Sequence, residues 1–360
     1  MLAAEGDNAM TETKGILGRG QRAPDFVLPG KDGTPTRFYA KAGGVPTVLL
    51  HAGPASTAAV RELADGLGDR VPHQVSIHLV WQGEPDSDAA APFPAFVDAE
   101  RKIAAGYGAS DSPTAFVLDP NLRILDAFSL DDGRDAARRV LDVIDSLPRA
   151  EAVEISSQAP VLFVENALDD AMCAELIDAW ETRGNVETGV EQTAGGQRED
   201  TLRAQFKRRR DHVVTDAELN QRIGASLGRR IMPEIRKAFS FRATGFEGFK
   251  IGCYDASTGG FFKAHRDNLS STTAHRSFAL TLNLNQDYEG GQLRFPEYGP
   301  QLYRPNAGAA LIFSCSHLHE VLNVSAGRRF VLLSFLLGEP EARTVGASPA
   351  GQAARPAGTA

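Results

Sequence analysis

The chain has 360 residues, more than one ordinary hydrophobic core holds, so two domains are expected. Hydrophobic residues make up 42% and charged residues 23%, which excludes a disordered or fibrous chain. A net charge of -8 excludes a broad basic surface for nucleic acid. Lys207-Arg208-Arg209-Arg210 is the local exception, read first as a solvated face or loop and second as a contact for an acidic substrate or partner.

The opening MLAAEGDNAMTETKG carries acids where a secretory leader has basic and apolar residues. No apolar run approaches the roughly 20 residues of a membrane span. A cytoplasmic protein with no membrane or nucleic-acid partner is therefore expected. Cys173, Cys253 and Cys315 are too scattered for a zinc knuckle or a disulfide framework, and no cysteine precedes Cys173. Composition and pattern divide the chain into a disordered tail at 1–17, a first domain at 18–148, a linker at 149–160, a second domain at 161–338 and a disordered tail at 339–360.

In the first domain, Pro46 to Leu50 and Val75 to Trp81 read as buried strands with a helix at Thr57 to Leu67 between them, a βαβ unit. Ala95 to Tyr107 reads as a helix, Thr114 to Leu118 and Arg123 to Phe128 as strands. Asp135 to Ile144 then puts Ala136, Val140, Leu141 and Ile144 on one helical face, ended by Pro148. The fold class here is α/β.

In the second domain, Asp169 to Trp180 is expected to be helical, with Met172, Leu176, Ile177 and Trp180 on one face. Thr215-Asp-Ala-Glu218 has the form of a capping box opening a long helix that carries Leu219, Ile223, Leu227, Ile231 and Ile235. From Phe249 to Leu337 short apolar runs are broken by Gly, Asn, Asp and Pro, with turns at Glu289 to Gly291 and Pro305 to Gly308. An all-β barrel or sandwich with helical buttresses follows.

Within that region, His265 and Asp267 are two residues apart, so a strand would place both on one face with Arg266 pointing away. A further ligand has to come from another strand, and two of the five histidines beyond residue 151, His317 and His319, end the run AALIFSCSHLH. Two imidazoles and one carboxylate on one face of an octahedral ion leave three positions open, the arrangement suited to Fe(II), a bidentate keto acid and dioxygen. Structural zinc prefers a closed tetrahedral set. A keto acid with a distal carboxylate needs a buried cation, and Arg328 and Arg329 follow closely.

The order Cys253-Tyr254, His265-Arg-Asp267-Asn268, Arg276, Leu284-Asn285, Tyr288-Glu-Gly-Gly-Gln-Leu-Arg-Phe-Pro, Leu311-Ile-Phe, His319-Glu-Val and Gly327-Arg-Arg329 resembles the prolyl 4-hydroxylase branch of the Fe(II)/2-oxoglutarate dioxygenases, over roughly Phe163 to Leu337. The resemblance implies a double-stranded β-helix (jelly-roll) fold. It also implies Fe(II) held by His265, Asp267 and His319 and 2-oxoglutarate held by Arg329, with His317 and Arg328 as neighbours. Tyr254 matches a tyrosine whose hydroxyl meets 2-oxoglutarate. Asn283 falls where relatives often carry a cosubstrate-contacting tyrosine, with Thr281 on the same face, and both serve equally well as inward-facing polar residues. The implied reaction is C–H hydroxylation with 2-oxoglutarate and O2 consumed and ascorbate as a candidate reductant. Asp267 argues against a halogenase, whose chloride takes the carboxylate's place.

The stretches GQRAPDFVLPGKDGTPTRF, GGVPTVLLHAGPASTAAVREL and DSPTAFVLDPNLRILDAF resemble the redoxin branch of thioredoxin folds, close to peroxiredoxins, and Ser112-Pro113-Thr114 is similar to that fold's cis-proline loop. Val60 or a neighbour stands where the reactive thiolate belongs, so no thiol chemistry is expected. This part is expected to dock a substrate or partner, to fix a homodimer, or to stabilise the whole. The expected substrate is a prolyl or other amino-acid side chain in a peptide or protein, with a free amino acid or natural-product intermediate as the alternative. A noncatalytic interaction protein and a cupin-like metal isomerase or binder are the rivals from other classes.

Overall fold

The computed structural model describes residues 15–83, 93–109, 112–148, 151–194, 197–201 and 205–338. Most of both expected tails, 1–14 and 339–360, lies outside the described residues. The first sheet has five strands in the order Ala95–Val97, Ser76–Trp81, Thr47–Ala52, Thr114–Leu118, Ile124–Ser129. The first three are parallel and the last two antiparallel, the thioredoxin-like arrangement. Thr47–Ala52 is buried on both faces, which is why it reads as a continuous apolar run.

Helices α1 (Thr57–Leu67) and α3 (Gly133–Asp145) cover one face of this sheet, burying Val60, Leu63, Ala136 and Val140. The helix expected over 95–107 divides: Ala95–Val97 pairs in parallel with Ser76–Trp81, and only α2 (Lys102–Tyr107) is helical. Arg101, in the left-handed region at φ 54°, separates the two. Val60 points into the core, so the side chain at that position is a buried apolar one. The Ser112–Pro113 bond is trans, since Val71–Pro72 is the cis peptide among the described residues.

The second region is two antiparallel sheets face to face, a jelly roll. The larger runs Leu162–Val164, Ala310–Ser314, Phe278–Asn283, Val324–Gly338, Lys250–Asp255, Arg210–Val213, Val186–Glu187. The smaller runs Lys207–Arg208, Phe261–His265, His319–Val321, Leu293–Arg294, Leu302–Tyr303. Side-chain alternation divides each strand between two environments. Leu280, Leu282, Phe330 and Leu332 face outward against helices, whereas Ala279, Val331, Phe295 and Phe313 fill the space between the sheets.

The outer layer is made by α4 (Asp170–Thr182) and α5 (Ala217–Phe239). In α5 the expected stripe of Leu219, Ile223, Leu227, Ile231 and Ile235 is buried throughout, each side chain contributing on the order of 1.5–3 kcal/mol. Its cap is Asp216, whose carboxylate accepts from the amides of Glu218 and Leu219, so Thr215 is not the capping residue. In α4, Cys173 rather than Met172 is the fully buried member of the stripe, and Met172 packs at its edge.

The two regions meet along α5. Glu234, buried in that helix, accepts two hydrogen bonds from Arg22, at 2.7 and 2.6 Å, and one from Asn121 at 3.1 Å. Arg123 stands 3.8 Å from the same carboxylate. Arg230 donates to the carbonyl of Arg19, and Gly20, at φ +82°, passes so close that a Cβ there would lie 2.3 Å from the Asn166 carbonyl oxygen. Only glycine fits that contact.

Candidate active site

His265 and His319 are register partners on the neighbouring strands Phe261–His265 and His319–Val321. Residues directly opposite on antiparallel strands share a face, so both imidazoles project the same way. Asp267 lies in the bend just past the strand, not within it as the i, i+2 argument assumed, and its amide donates to the Cys315 carbonyl at 3.0 Å. That bond turns the carboxylate back between the rings: Asp267 Oδ1 is 3.4 Å from His265 Nε2 and Oδ2 is 3.4 Å from His319 Nε2. One ligand atom from each residue lies within 4.8 Å of the others.

The ring orientations are fixed from behind. His265 Nδ1 lies 2.8 Å from the Lys263 carbonyl and His319 Nδ1 3.0 Å from the His317 carbonyl. A carbonyl only accepts, so each Nδ1 carries the proton and each Nε2 turns a lone pair toward the acid. Phe262 stacks on His265 with centroids 3.6 Å apart, and Phe313 packs on His319 at 4.6 Å. Burial would raise the Asp267 carboxyl, but His319 and His265 hold it at about 2; burial pushes His319 down to about 4 against the pull of Asp267. At neutral pH the acid is charged and His319 neutral, the forms that bind a cation. The donor set is two nitrogens and one carboxylate, with no fourth protein ligand in the cluster among the described residues. It fits an octahedral ferrous ion with open positions better than closed zinc.

His317 takes no part: its ring packs against Tyr298 and Phe295. Strand parity separates the arginines in the same way. Arg328 is exposed, pairs with Glu181 at 2.8 Å and lies over Phe330. Arg329 is inward and 1% exposed, with hydrogen bonds to Asn283 Oδ1 and to the Gly291 carbonyl. No carboxylate among the described residues lies within ion-pair distance of it. Burial lowers its pKa, since desolvation disfavours the charged form. A guanidinium so placed is a candidate counter-charge for an anionic ligand.

A cavity of about 580 Å³ opens over the triad, with Tyr254, Thr281, Phe262 and Leu293 in its wall. Neither Asn283 nor Arg329 is in that wall: the Asn283 amide donates to the Tyr288 hydroxyl and the Pro305 carbonyl, both at 2.7 Å, its oxygen braces Arg329, and the Arg329 guanidinium lies 5.6 Å from the ring centroid of the wall residue Tyr254. Gly291, at φ +67°, passes the Arg329 stem, where a Cβ would come within 3.1 Å of Cδ.

The basic run is a correction. Lys207 and Arg209 are not a solvated face; they line the cavity with Asp211, while Arg208 and Arg210 point outward. The alternation Lys207, Arg209, Asp211 at i, i+2, i+4 was the sequence signal for an inward charged row, and composition alone hid it. Arg276, paired with Glu247 at 2.6 Å and stacked on Phe335, lines the opposite side.

Residues 249–337 match the family described as the 2OG-Fe(II) oxygenase superfamily. A PKHD-type hydroxylase of Synechococcus sp. (strain JA-2-3B'a(2-13)) is 32% identical over 105 residues, 26% of this chain and 46% of that protein. A PKHD-type hydroxylase of Psychrobacter sp. (strain PRwf-1) is 28% identical over 116 residues, 32% of this chain and 41% of that one. The chain thus spans less than half the length of these curated relatives. Among solved structures, a Pseudomonas putida prolyl-4-hydroxylase covers 51% of this chain and 95% of its own, at 18% identity and TM-score 0.40. The peroxidoxin BcpB of Mycobacterium tuberculosis covers 36% and 98%, at 22% identity and TM-score 0.31. With the family match falling on the segment that carries His265, Asp267, His319 and Arg329, residues 249–337 form a 2OG-Fe(II) oxygenase superfamily domain in a chain that also carries a redoxin-like fold.

Proposed function

We propose that the protein is an Fe(II)- and 2-oxoglutarate-dependent dioxygenase that hydroxylates a C–H bond, the substrate being a prolyl or other amino-acid side chain in a peptide or protein. The observation that carries this reading is the triad facing the cavity, with Arg329, a buried guanidinium without a carboxylate partner among the described residues, 5.6 Å from the ring centroid of the cavity-lining Tyr254. When bound, iron with 2-oxoglutarate and dioxygen supplies the oxidising power: one oxygen atom goes to the substrate C–H and the other to succinate, with carbon dioxide released.

The chain's own residues prepare that chemistry. His265, Asp267 and His319 present three ligands on one side and leave the other side to the cavity. The Lys263 and His317 carbonyls hold the imidazoles in one tautomer. Arg329, braced by Asn283, offers its charge to the distal carboxylate of 2-oxoglutarate, a contact that planar N–H donors favour. Phe262 and Phe313 exclude water from the ring faces. The redoxin-like part has no cysteine and contributes no thiol step.

Anaerobic addition of Fe(II) and 2-oxoglutarate is expected to give a weak visible charge-transfer band, absent in His265→Ala and Asp267→Ala. Ascorbate is expected to prolong succinate formation by keeping iron ferrous. A spectrum without the band in the wild-type protein refutes the proposal and favours a noncatalytic scaffold.

A further inference from the structure

The triad and Arg329 leave unexplained why a charged row from another strand is built into the cavity wall. Asp211 is 1% exposed and binds Arg209 through two parallel bonds, Nε to Oδ1 at 2.6 Å and Nη2 to Oδ2 at 2.7 Å. Thr188 donates its hydroxyl to the same carboxylate at 2.5 Å. A bidentate pair of this kind fixes the guanidinium plane as well as its place. The third nitrogen, Nη1, then points at Tyr254 and donates to its hydroxyl at 3.2 Å.

That bond has a consequence for the phenol. A hydroxyl oxygen that accepts from Arg209 still carries its own proton, which needs an acceptor. Tyr254 is 2% exposed, and no acceptor for that proton occurs among the described residues. The ring lies between two guanidinium groups, with Arg209 Cζ and Arg329 Cζ each 5.6 Å from its centroid. Asp211 pairs with the first and also lies 3.8 Å from Lys207 Nζ, while no carboxylate among the described residues is within ion-pair distance of the second. A buried O–H without an acceptor is costly unless a ligand supplies one.

We infer that Arg209, locked by Asp211, is a positioning residue that holds the Tyr254 hydroxyl as a hydrogen-bond donor to the 2-oxoglutarate bound beside Arg329. Arg209 itself does not touch the cosubstrate and acts through the tyrosine. This inference rests on the proposed 2-oxoglutarate site and adds to it the origin of the tyrosine's orientation.

A double-mutant cycle tests it, with 2-oxoglutarate titrated anaerobically into the full-length protein loaded with Fe(II) and the charge-transfer band as readout. Tyr254→Phe and Arg209→Gln are each expected to raise Kd about tenfold, the loss of one buried hydrogen bond. Combined, they are expected to be no worse than Tyr254→Phe alone by more than about twofold, because Arg209 has nothing left to orient. Arg209→Gln orphans the Asp211 carboxylate, so Arg209→Met with Asp211→Leu is the second variant should the first fail to fold, and it enters the same cycle. Multiplicative effects in the double variant, or a Kd unmoved by either single change, overturn the inference while leaving the iron site standing. Absence of the band in the wild-type protein removes the proposed function and this inference together.

Discussion

Replacing Glu234 by Gln removes the α5 carboxylate that pairs with Arg22 and lies 3.8 Å from Arg123. Glu234 is 3% exposed, and its four neighbouring contacts come from residues more than 100 positions away in sequence. Glutamine keeps the shape but presents an NH2 group to one of the two Arg22 nitrogens. It leaves Arg22 without its ion-pair partner and Arg123 with only the more remote carboxylates of Asp119 and Glu165, and Arg123 Nε already lacks a hydrogen-bond partner. Breaking a buried pair from one side costs about 3–5 kcal/mol. At about 2–4 °C per kcal/mol for a unit of this size, the melting temperature is expected to fall by roughly 6–20 °C. Thermal unfolding of the full chain, followed by far-UV circular dichroism and by limited trypsin digestion between residues 148 and 160, reads both the loss and the separation of the halves. A melting temperature within 2 °C of wild type, with unchanged digestion, would show that the clamp carries none of the assigned energy. Gly20→Ala attacks the same junction without touching charge, since its Cβ would collide with the Asn166 carbonyl, and it is expected to give the same digestion pattern.

Other consequences follow from single contacts. Arg329→Gln is expected to raise the KM for 2-oxoglutarate at least tenfold, whereas Arg328→Ala, which breaks an exposed pair with Glu181, is expected to change stability by less than about 1 kcal/mol; steady-state succinate assays and urea titration separate the two. Gly291→Ala drives a methyl against Val324 and the Arg329 stem and is expected to weaken 2-oxoglutarate binding more than iron binding, read by titrating each alone. Ile231→Ala, in the buried stripe of α5, is expected to cost about 2–5 kcal/mol in urea unfolding. Burial depresses His51 to about 3 and His78 to about 4, against about 6.5 in the unfolded chain. Above pH 6.5 both states are neutral and pH has no effect through these groups. Below it the unfolded chain takes up protons that the folded chain refuses, so stability falls by about 1.4 kcal/mol per pH unit for each histidine, or about 4 kcal/mol for the pair by pH 5. Urea midpoints measured at pH 7 and pH 5 should show this loss, and His51→Phe with His78→Phe should remove this share of it, leaving the part that the depressed His319 contributes in the same direction.

The α/β character of the first part, the α5 stripe and the His265–Asp267 half of the triad were legible in the residues, because each depends on a local period or a short motif. Thr47–Ala52 has to be buried on both faces, and Leu219 to Ile235 repeat every four residues whatever surrounds them. His265 and Asp267 were nameable because their short spacing is a sequence property, although Asp267 lies in the bend past the strand. The residues alone left His317 against His319 and Arg328 against Arg329 open, and only the resemblance to a family chose between them.

Tertiary structure decided the rest. Ala95–Val97 is a strand because a parallel neighbour, Ser76–Trp81, was there to pair with it, and pairing overrides a weak helical pattern. Lys207 and Arg209 became an inward wall because Arg210–Val213 pairs with Lys250–Asp255 and Lys207–Arg208 with Phe261–His265, contacts some 40 to 55 residues away that no local window contains. The clamp on Glu234 joins residues 22, 121, 123 and 234, and its cost and its benefit exist only once both halves have folded. Periodicity records which way a side chain points; which partner meets it there is a property of the assembled chain.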